Sequence, residues 1–335
     1  MHRISSMMIS TLAASGLWLM SAAGEMEGAA ESGRMKNVLC YTPAPAAEAM
    51  AQEIAVQGPL LPALSLPEME LGQAADSAFE PAPRDNVQET TIEGGMSIKN
   101  ETGYFVDAGE LIKSGPGLSL PAGQPQILII HTHSSEAYTQ AGLDRYQPSD
   151  TNRTEDTQFN IVRIGDELTE ILSEAGLEVI HDRGIYDYPS YTGSYSRSGA
   201  AVQQYLDSYP GIRIVLDIHR DALGSEGVVY KTMAEEEGVC ASQLMLLVGS
   251  DDSGLEHPEW RRNMALALYL QNAAVQSNPT LMRPISLVRE RYNQHLSPGS
   301  LIIEVGSNGN TLQEALAGVR LFGRAIAPAL SELVE

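Results

Sequence analysis

The sequence predicts an α/β fold: a mostly parallel or mixed central sheet with helices on both faces. Three observations carry that expectation. Short runs without a polar residue, at 127–130 and 301–303, fit strands buried on both sides. The segments between such runs repeat apolar residues at helical spacing, so strands and helices alternate. The first 95 residues show neither pattern and stand apart as a leader and a tether.

Residues 1–24 begin with His2 and Arg3, continue through an uncharged run from Ile4 to Gly24, and are followed by Glu25, Glu27 and Glu31. Basic residues before the run and acidic ones after it orient the start inside and the remainder outside a membrane. A run of about 20 residues just spans a bilayer. Ser21-Ala22-Ala23 also fits the cleavage site of a secretory signal, so the expectation is a single-pass anchor, with secretion after cleavage as the alternative. Residues 25–95 are rich in Ala, Pro, Gly and Glu, including Pro43, Pro45, Pro59, Pro62, Pro67, Pro81 and Pro83. Such a composition does not repay the entropy of ordering and predicts an acidic, semi-extended linker. Residues 96–125 read as a small lead-in of short strands and turns that ends in a Gly/Pro/Ser hinge and packs on the larger domain after it.

Within 126–335 the predicted elements are a strand at 127–130, a helix at 160–175, a strand at 178–180, a helix at 199–209 and a strand at 212–218. Strands at 227–233 and 243–248, a helix at 259–276, a strand at 301–305 and a closing helix at 311–333 complete the pattern. In such a sheet ligands sit beyond the carboxyl ends of the strands.

Composition narrows the chemistry. With 21 basic and 43 acidic side chains, a net of −22, the chain repels nucleic acid and anionic lipid. Cys40 and Cys240 are the only cysteines, so any metal is held by His, Asp or Glu. Of seven histidines, His131 and His133 follow the first apolar strand and His219 follows another, in Leu216-Asp217-Ile218-His219-Arg220-Asp221. A third strand carries Glu304, and Glu136 lies close behind His133. Imidazoles and carboxylates converging from three strand ends are the donor set of a catalytic zinc, which activates water near neutral pH for hydrolysis. His181 and His257 read as loop or helix-entry residues, and His295 as a polar-loop residue near the Glu304 strand. The tyrosine-rich stretch 186–197 suits either a sugar- or peptide-binding rim or a plain surface loop.

Four ordered motifs then resemble a known family. Ile127-Leu128-Ile129-Ile130-His131-Thr132-His133-Ser134-Ser135-Glu136-Ala137-Tyr138, the helix starting Asn160-Ile161-Val162-Arg163, the His219 strand, and Tyr292-Asn293-Gln294-His295-Leu296-Ser297-Pro298 leading into Glu304 are similar to stage II sporulation protein P. That family looks like a divergent branch of zinc-dependent N-acetylmuramoyl-L-alanine amidases. The resemblance implies an amidase-like catalytic domain over 126–335 with a zinc ion (Zn2+) held by His131, Glu136 and His219, and Glu304 as catalytic base. Glu155 or Asp156 is the rival second ligand. His133, Arg197, Arg220, Asp221 and His295 are implied as substrate or supporting residues.

It further implies peptidoglycan as substrate, an endopeptidase cut in cross-links as a second activity, and wall thinning at the septum during engulfment. Its implied partners are the glycan-cutting sporulation protein D and an anchoring membrane protein. The implied location is the cell membrane, with the catalytic domain outside the cytoplasm on the mother-cell side. Two alternatives compete: a non-catalytic wall-binding scaffold with a degenerate site, and a metallophosphoesterase built on Asp217, His219 and Asp221.

Overall fold

The computed structural model describes residues 88–91, 96–225, 228–236 and 238–335. The expected anchor and most of the linker lie outside the described residues. Among the described residues no helix is long and apolar enough to cross a membrane.

In chain order the strands are β1 (Gln88–Thr91), β2 (Ser97–Asn100), β3 (Ile127–Ile130), β4 (Val179–His181), β5 (Ile214–Asp221), β6 (Gly224–Ser225), β7 (Val228–Val229), β8 (Met233–Glu236), β9 (Val239–Ser242), β10 (Leu244–Val248), β11 (Ile285–Leu287) and β12 (Ser300–Ser307). Five helices accompany them: α1 (Ala108–Ser114), α2 (Ile161–Glu174), α3 (Ser194–Ser208), α4 (Trp260–Ser277) and α5 (Leu312–Ser331). Eight strands form one sheet in the order β1-β2-β11-β10-β12-β5-β3-β4. β12, β5, β3 and β4 run parallel to one another, and β11 runs parallel to both β10 and β2; β10 against β12 and β1 against β2 are antiparallel, so the sheet is mixed. The lead-in is part of this body, because β2 joins the sheet and Tyr104 stacks on Trp260 at the start of α4, ring centroids 5.2 Å apart.

The differences from expectation are local. The strand expected at 227–233 is replaced by the hairpins β6/β7 and β8/β9, with Val228-Val229 forming β7 and Met233 opening β8. Helix α3 starts five residues early: its first turn, Ser194-Tyr195-Ser196-Arg197, carries no apolar repeat to announce it. Helices α2 and α5 form where expected because side chains cap them. Asn160 accepts from the Val162 backbone N–H, and Thr311 and Glu314 make a reciprocal capping box.

Side-chain alternation divides the interior into two unequal cores. Ile127, Ile129, Ile214, Leu216, Ile218, Leu301, Ile303 and Val305 face the larger core with α2, α4 and α5. Leu128, Ile130 and Val215 face a smaller one with Val202 of α3. Period two then puts Asp217, His219 and Glu304 on the α3 side. Register completes the placement: Glu304 lies opposite His219, and Ile130 opposite Asp217. Beyond Glu304 the register of β12 shifts, at a bulge that includes Gly306 in a left-handed conformation with φ of 67°.

Candidate active site

Where the chain leaves β3, three consecutive residues meet the three consecutive residues Asp217-Ile218-His219 of β5. His131 Nδ1 lies 3.0 Å from the Ile218 carbonyl oxygen. The Thr132 backbone N–H donates to Asp217 Oδ1 at 2.8 Å, and its hydroxyl donates to Oδ2 at 2.6 Å. The His133 ring stands edge-on to His219, centroids 5.2 Å apart at 88°.

The arrangement brings His133, and not His131, to His219. His131 shares parity with Ile127 and Ile129, so it turns to the α2 side, where its Nε2 meets His181 Nε2 at 2.8 Å. The residue brought to His219 is His133, two positions on. Burial lowers His131 to about 3 and His133 to about 4, so both rings are neutral bases; Glu136 opposes the fall at His133. His133 is held by two hydroxyls, Tyr191 Oη 3.1 Å from Nε2 and Ser194 Oγ 3.4 Å from Nδ1, and the Tyr191 ring stacks on it at 4.5 Å.

Glu136 and His219 lie side by side. Glu136 Oε2 accepts from the Arg220 backbone N–H at 3.1 Å and lies 3.6 Å from His219 Nδ1, while Oε1 is 3.4 Å from the Arg153 guanidinium. Burial alone would raise its pKa, but Arg220 and then His219 hold the carboxyl well below the usual range. His219 has Asp217 Oδ1 2.9 Å from Nε2, off the N–H axis, so the contact is ionic and Nε2 lacks a hydrogen bond. Burial works against charging this ring, yet Asp217 and Glu136 keep its pKa well above 6.5.

Glu304, in register with His219, has no hydrogen-bond partner for its buried Oε2. Burial pushes it up to about 8; His219 pulls against that shift, and Asp221 and Glu136 add to it. A carboxyl that titrates near neutrality beside an imidazole is matched to carrying protons.

The remaining candidates divide. Arg220 is buried behind Glu136 and donates to the Ala137 and Asn152 carbonyls, which fixes the turn carrying Glu136. Asp221 accepts from Arg283 at 2.8 Å, and Asp217 is occupied by Thr132, so the carboxylates of the phosphoesterase alternative are already engaged. Arg197 donates to the carbonyls of Tyr186, Ser190 and Thr192 and shapes the tyrosine loop without entering the cluster. Glu155 and Asp156 are exposed, with Asp156 accepting from the Gln158 backbone N–H, and neither joins the group. His295 lies in the turn before β12 with its ring 6.5 Å from His257, at the strand end opposite Glu304. Sequence reasoning overlooked Arg153, which pairs with Asp187 at 2.5 Å beneath Ser135, and Tyr191, which is 52% exposed and reaches His133 from the rim. The tyrosine-rich stretch was the signal for Tyr191; for Arg153 there was none.

Among the described residues no three His, Cys, Asp or Glu side chains stand at the mutual spacing of a formed metal centre. His133 is engaged by hydroxyls and His219 leans toward Asp217. The donor set nevertheless fits zinc. Two imidazoles on a tetrahedral ion at about 2.1 Å have centroids roughly 5 Å apart, and two donor atoms on it are roughly 3.4 Å apart. The observed values are 5.2 Å for His133 and His219, and 3.6 Å for His219 and Glu136. The unpartnered Glu304 Oε2 lies in the same group, and Asp217 stands behind His219 as a carboxylate that orients a ligand imidazole.

Comparison with known proteins agrees with the sequence resemblance. A family model described as Stage II sporulation protein P (SpoIIP) matches residues 62–327. The stage II sporulation protein P of Bacillus subtilis (strain 168) is 23% identical over 203 residues, 56% of this chain and 47% of that protein. The match thus spans about half the length of that curated relative. Among solved structures, N-acetylmuramoyl-L-alanine amidase AmiC2 of Nostoc punctiforme is 13% identical, covering 62% of this chain and 97% of that chain at a TM-score of 0.35. The apo form of the amidase Ami1 from Mycobacterium abscessus is 13% identical, covering 63% and 99% at 0.38. The CwlD amidase from Clostridioides difficile, solved with the GerS lipoprotein, is 13% identical, covering 62% and 99% at 0.34. Superpositions at this level carry no argument about the site.

Proposed function

We propose, from the premise that this chain belongs to the stage II sporulation protein P family, that it is a zinc-dependent peptidoglycan hydrolase. It cleaves the amide joining the lactyl group of N-acetylmuramic acid to L-alanine. The observation that carries the reading is the convergence of His133, Glu136, His219 and Glu304 at the ends of three adjacent strands, with His219 Nδ1 turned to Glu136 and the buried Glu304 Oε2 without a hydrogen bond.

His133, Glu136 and His219 would hold the metal, with Asp217 and Arg220 orienting two of them. Zinc supplies Lewis acidity, which makes water nucleophilic near neutral pH and polarises the scissile carbonyl. Glu304 takes the proton of the attacking water and delivers it to the departing amine of L-alanine. Its raised pKa suits both halves of that transfer. Tyr191 and Tyr195, stacked and edge-on against His133, flank the group where a sugar or peptide would enter.

The chemistry requires His219 to give up a proton before it can donate a lone pair, and Glu304, raised to about 8, to ionise beside the metal, so zinc uptake is expected to release at least one proton per site at pH 7. Calorimetry in buffers of different ionisation enthalpy checks this. A proton count of zero would mean that His219 is not a ligand.

Cell-membrane attachment through residues 1–24, with the hydrolase outside the cytoplasm, belongs to the same reading, as does action at the septum beside sporulation protein D. The decisive assay is mass spectrometry of purified peptidoglycan digested by the full chain, with chelator and Glu304→Ala controls. Glycan strands stripped of peptide, with new L-alanine amino termini, are the expected product. Cut cross-links alone would reassign the enzyme as an endopeptidase, and intact wall would contradict hydrolysis. Fluorescent fusions that stay cytoplasmic would contradict the proposed location.

A further inference from the structure

We infer that His131 and His181, flanked by Asp166, form a positioning relay on the rear of the sheet that sets the backbone from which His219 and His133 reach the active site. The inference rests on the proposed hydrolase reading and gives a role to the histidine that the site itself does not use.

His131 is 0% exposed, and both its ring nitrogens are engaged. A carbonyl oxygen only accepts, so the Nδ1 facing Ile218 carries the hydrogen and Nε2 is left to accept from His181 Nε2–H. The carbonyl that His131 grips belongs to the peptide whose nitrogen is that of His219. Along its own chain His131 is two residues from His133. One ring therefore ties together the two strand ends that present the imidazoles.

The outer end is set by packing. His181 ends β4, and burial lowers its pKa to about 4; with its single hydrogen on Nε2 it has none to give Asp166 Oδ1, which lies 3.1 Å from Nδ1 and is engaged by Arg183 instead. Helix α2 presses directly on the pair at Gly165. A Cβ there would stand 2.5 Å from Nε2 of both His131 and His181. The start of the same helix is fastened to the site loop, since the Ile161 N–H donates to the Glu136 carbonyl at 2.7 Å. Relay and helix thus link β3, β4 and β5 to the loop carrying Glu136.

Two other readings of the pair are weaker. At 2.8 Å the two Nε2 atoms are closer than the roughly 3.4 Å of donors sharing a tetrahedral metal, so this is a hydrogen bond and not a second metal centre. As mere filler it is costly: an aliphatic side chain would occupy the space without desolvating two imidazoles.

The test uses the full-length, zinc-loaded protein and two isosteric halves of one ring. In His131→Asn the amide nitrogen stands near where Nδ1 stood and keeps the Ile218 bond. In His131→Gln the amide reaches toward His181 and the Ile218 bond is lost. The Asn variant, which keeps the Ile218 bond and loses the His181 bond, is expected to lose about threefold in kcat and zinc affinity. The Gln variant is expected to lose about 10-fold or more in kcat at unchanged KM, and about 10-fold or more in zinc affinity measured by chelator competition, the range typical of groups that orient metal ligands. Gly165→Ala, which leaves every site residue in place, should follow the Gln variant. The relay is overturned if Asn and Gln variants behave alike, or if all three lower Tm while kcat and zinc affinity stay at the wild-type value. Should the wild type hydrolyse nothing, the hydrolase reading fails, and the Asn/Gln contrast in zinc affinity still decides the relay.

Discussion

Glu304→Gln is expected to lower turnover of peptidoglycan by about a thousandfold, within the 10²–10⁴ range ascribed to general acid–base groups, while zinc content stays at that of the wild type. The amide keeps the size and most of the packing of the carboxyl but cannot take a proton from water. The same substitution has a second signature in metal-free protein. Burial raises Glu304 from 4.5 to about 8 in the folded state, so folding favours its protonated form. Its contribution to stability is complete below pH 4.5 and is lost as pH rises through 8. Gln is neutral throughout. In chelator, Glu304→Gln should therefore melt with the wild type at about pH 4.5 and several degrees above it at about pH 8.5. A variant less stable than wild type at the higher pH would show that the carboxylate is satisfied in the native protein, against the orphaned Oε2.

Glu136→Ala carries the largest expected loss of stability together with loss of the metal. Arg220 is 6% exposed, and its backbone N–H and guanidinium both face Glu136. Removing the carboxylate strands a buried cation, a change that costs about 3 kcal/mol or more. Its bonds to the Ala137 and Asn152 carbonyls keep part of Arg220 satisfied, so the fold should survive. Urea unfolding gives the stability, and metal analysis of the purified variant gives the zinc. Wild-type zinc with wild-type stability would remove Glu136 from both roles. Substituting Glu155 or Asp156, which are exposed, should change neither quantity.

How much of this was legible in the sequence depends on strand parity. In β5 the polar residues Asp217 and His219 alternate with Leu216 and Ile218, so their shared face can be read without a structure. β3 is apolar at all four positions because helices cover both sides of it. His131 and His133 share parity, and the chain leaves the strand at Ile130 for a turn, so nothing in the apolar run says which of the two reaches His219. Glu136 was legible because it lies in the same loop as His133, and Glu304 because one charge within an apolar strand needs a reason. The partnership of His131 with His181 spans 50 residues and depends on a glycine in a third element, so no local pattern announces it. His295 precedes Glu304 by most of a strand, which puts the two at opposite ends of it, a separation that closeness in sequence hides.

The most direct test of the account is the zinc content of His133→Ala and His131→Asn, purified side by side and measured by mass spectrometry of the native proteins. The account predicts that His133→Ala retains almost none and that His131→Asn retains about one ion per chain. A zinc-loaded His133→Ala beside an empty His131→Asn would contradict it, returning the metal to the far face of the sheet.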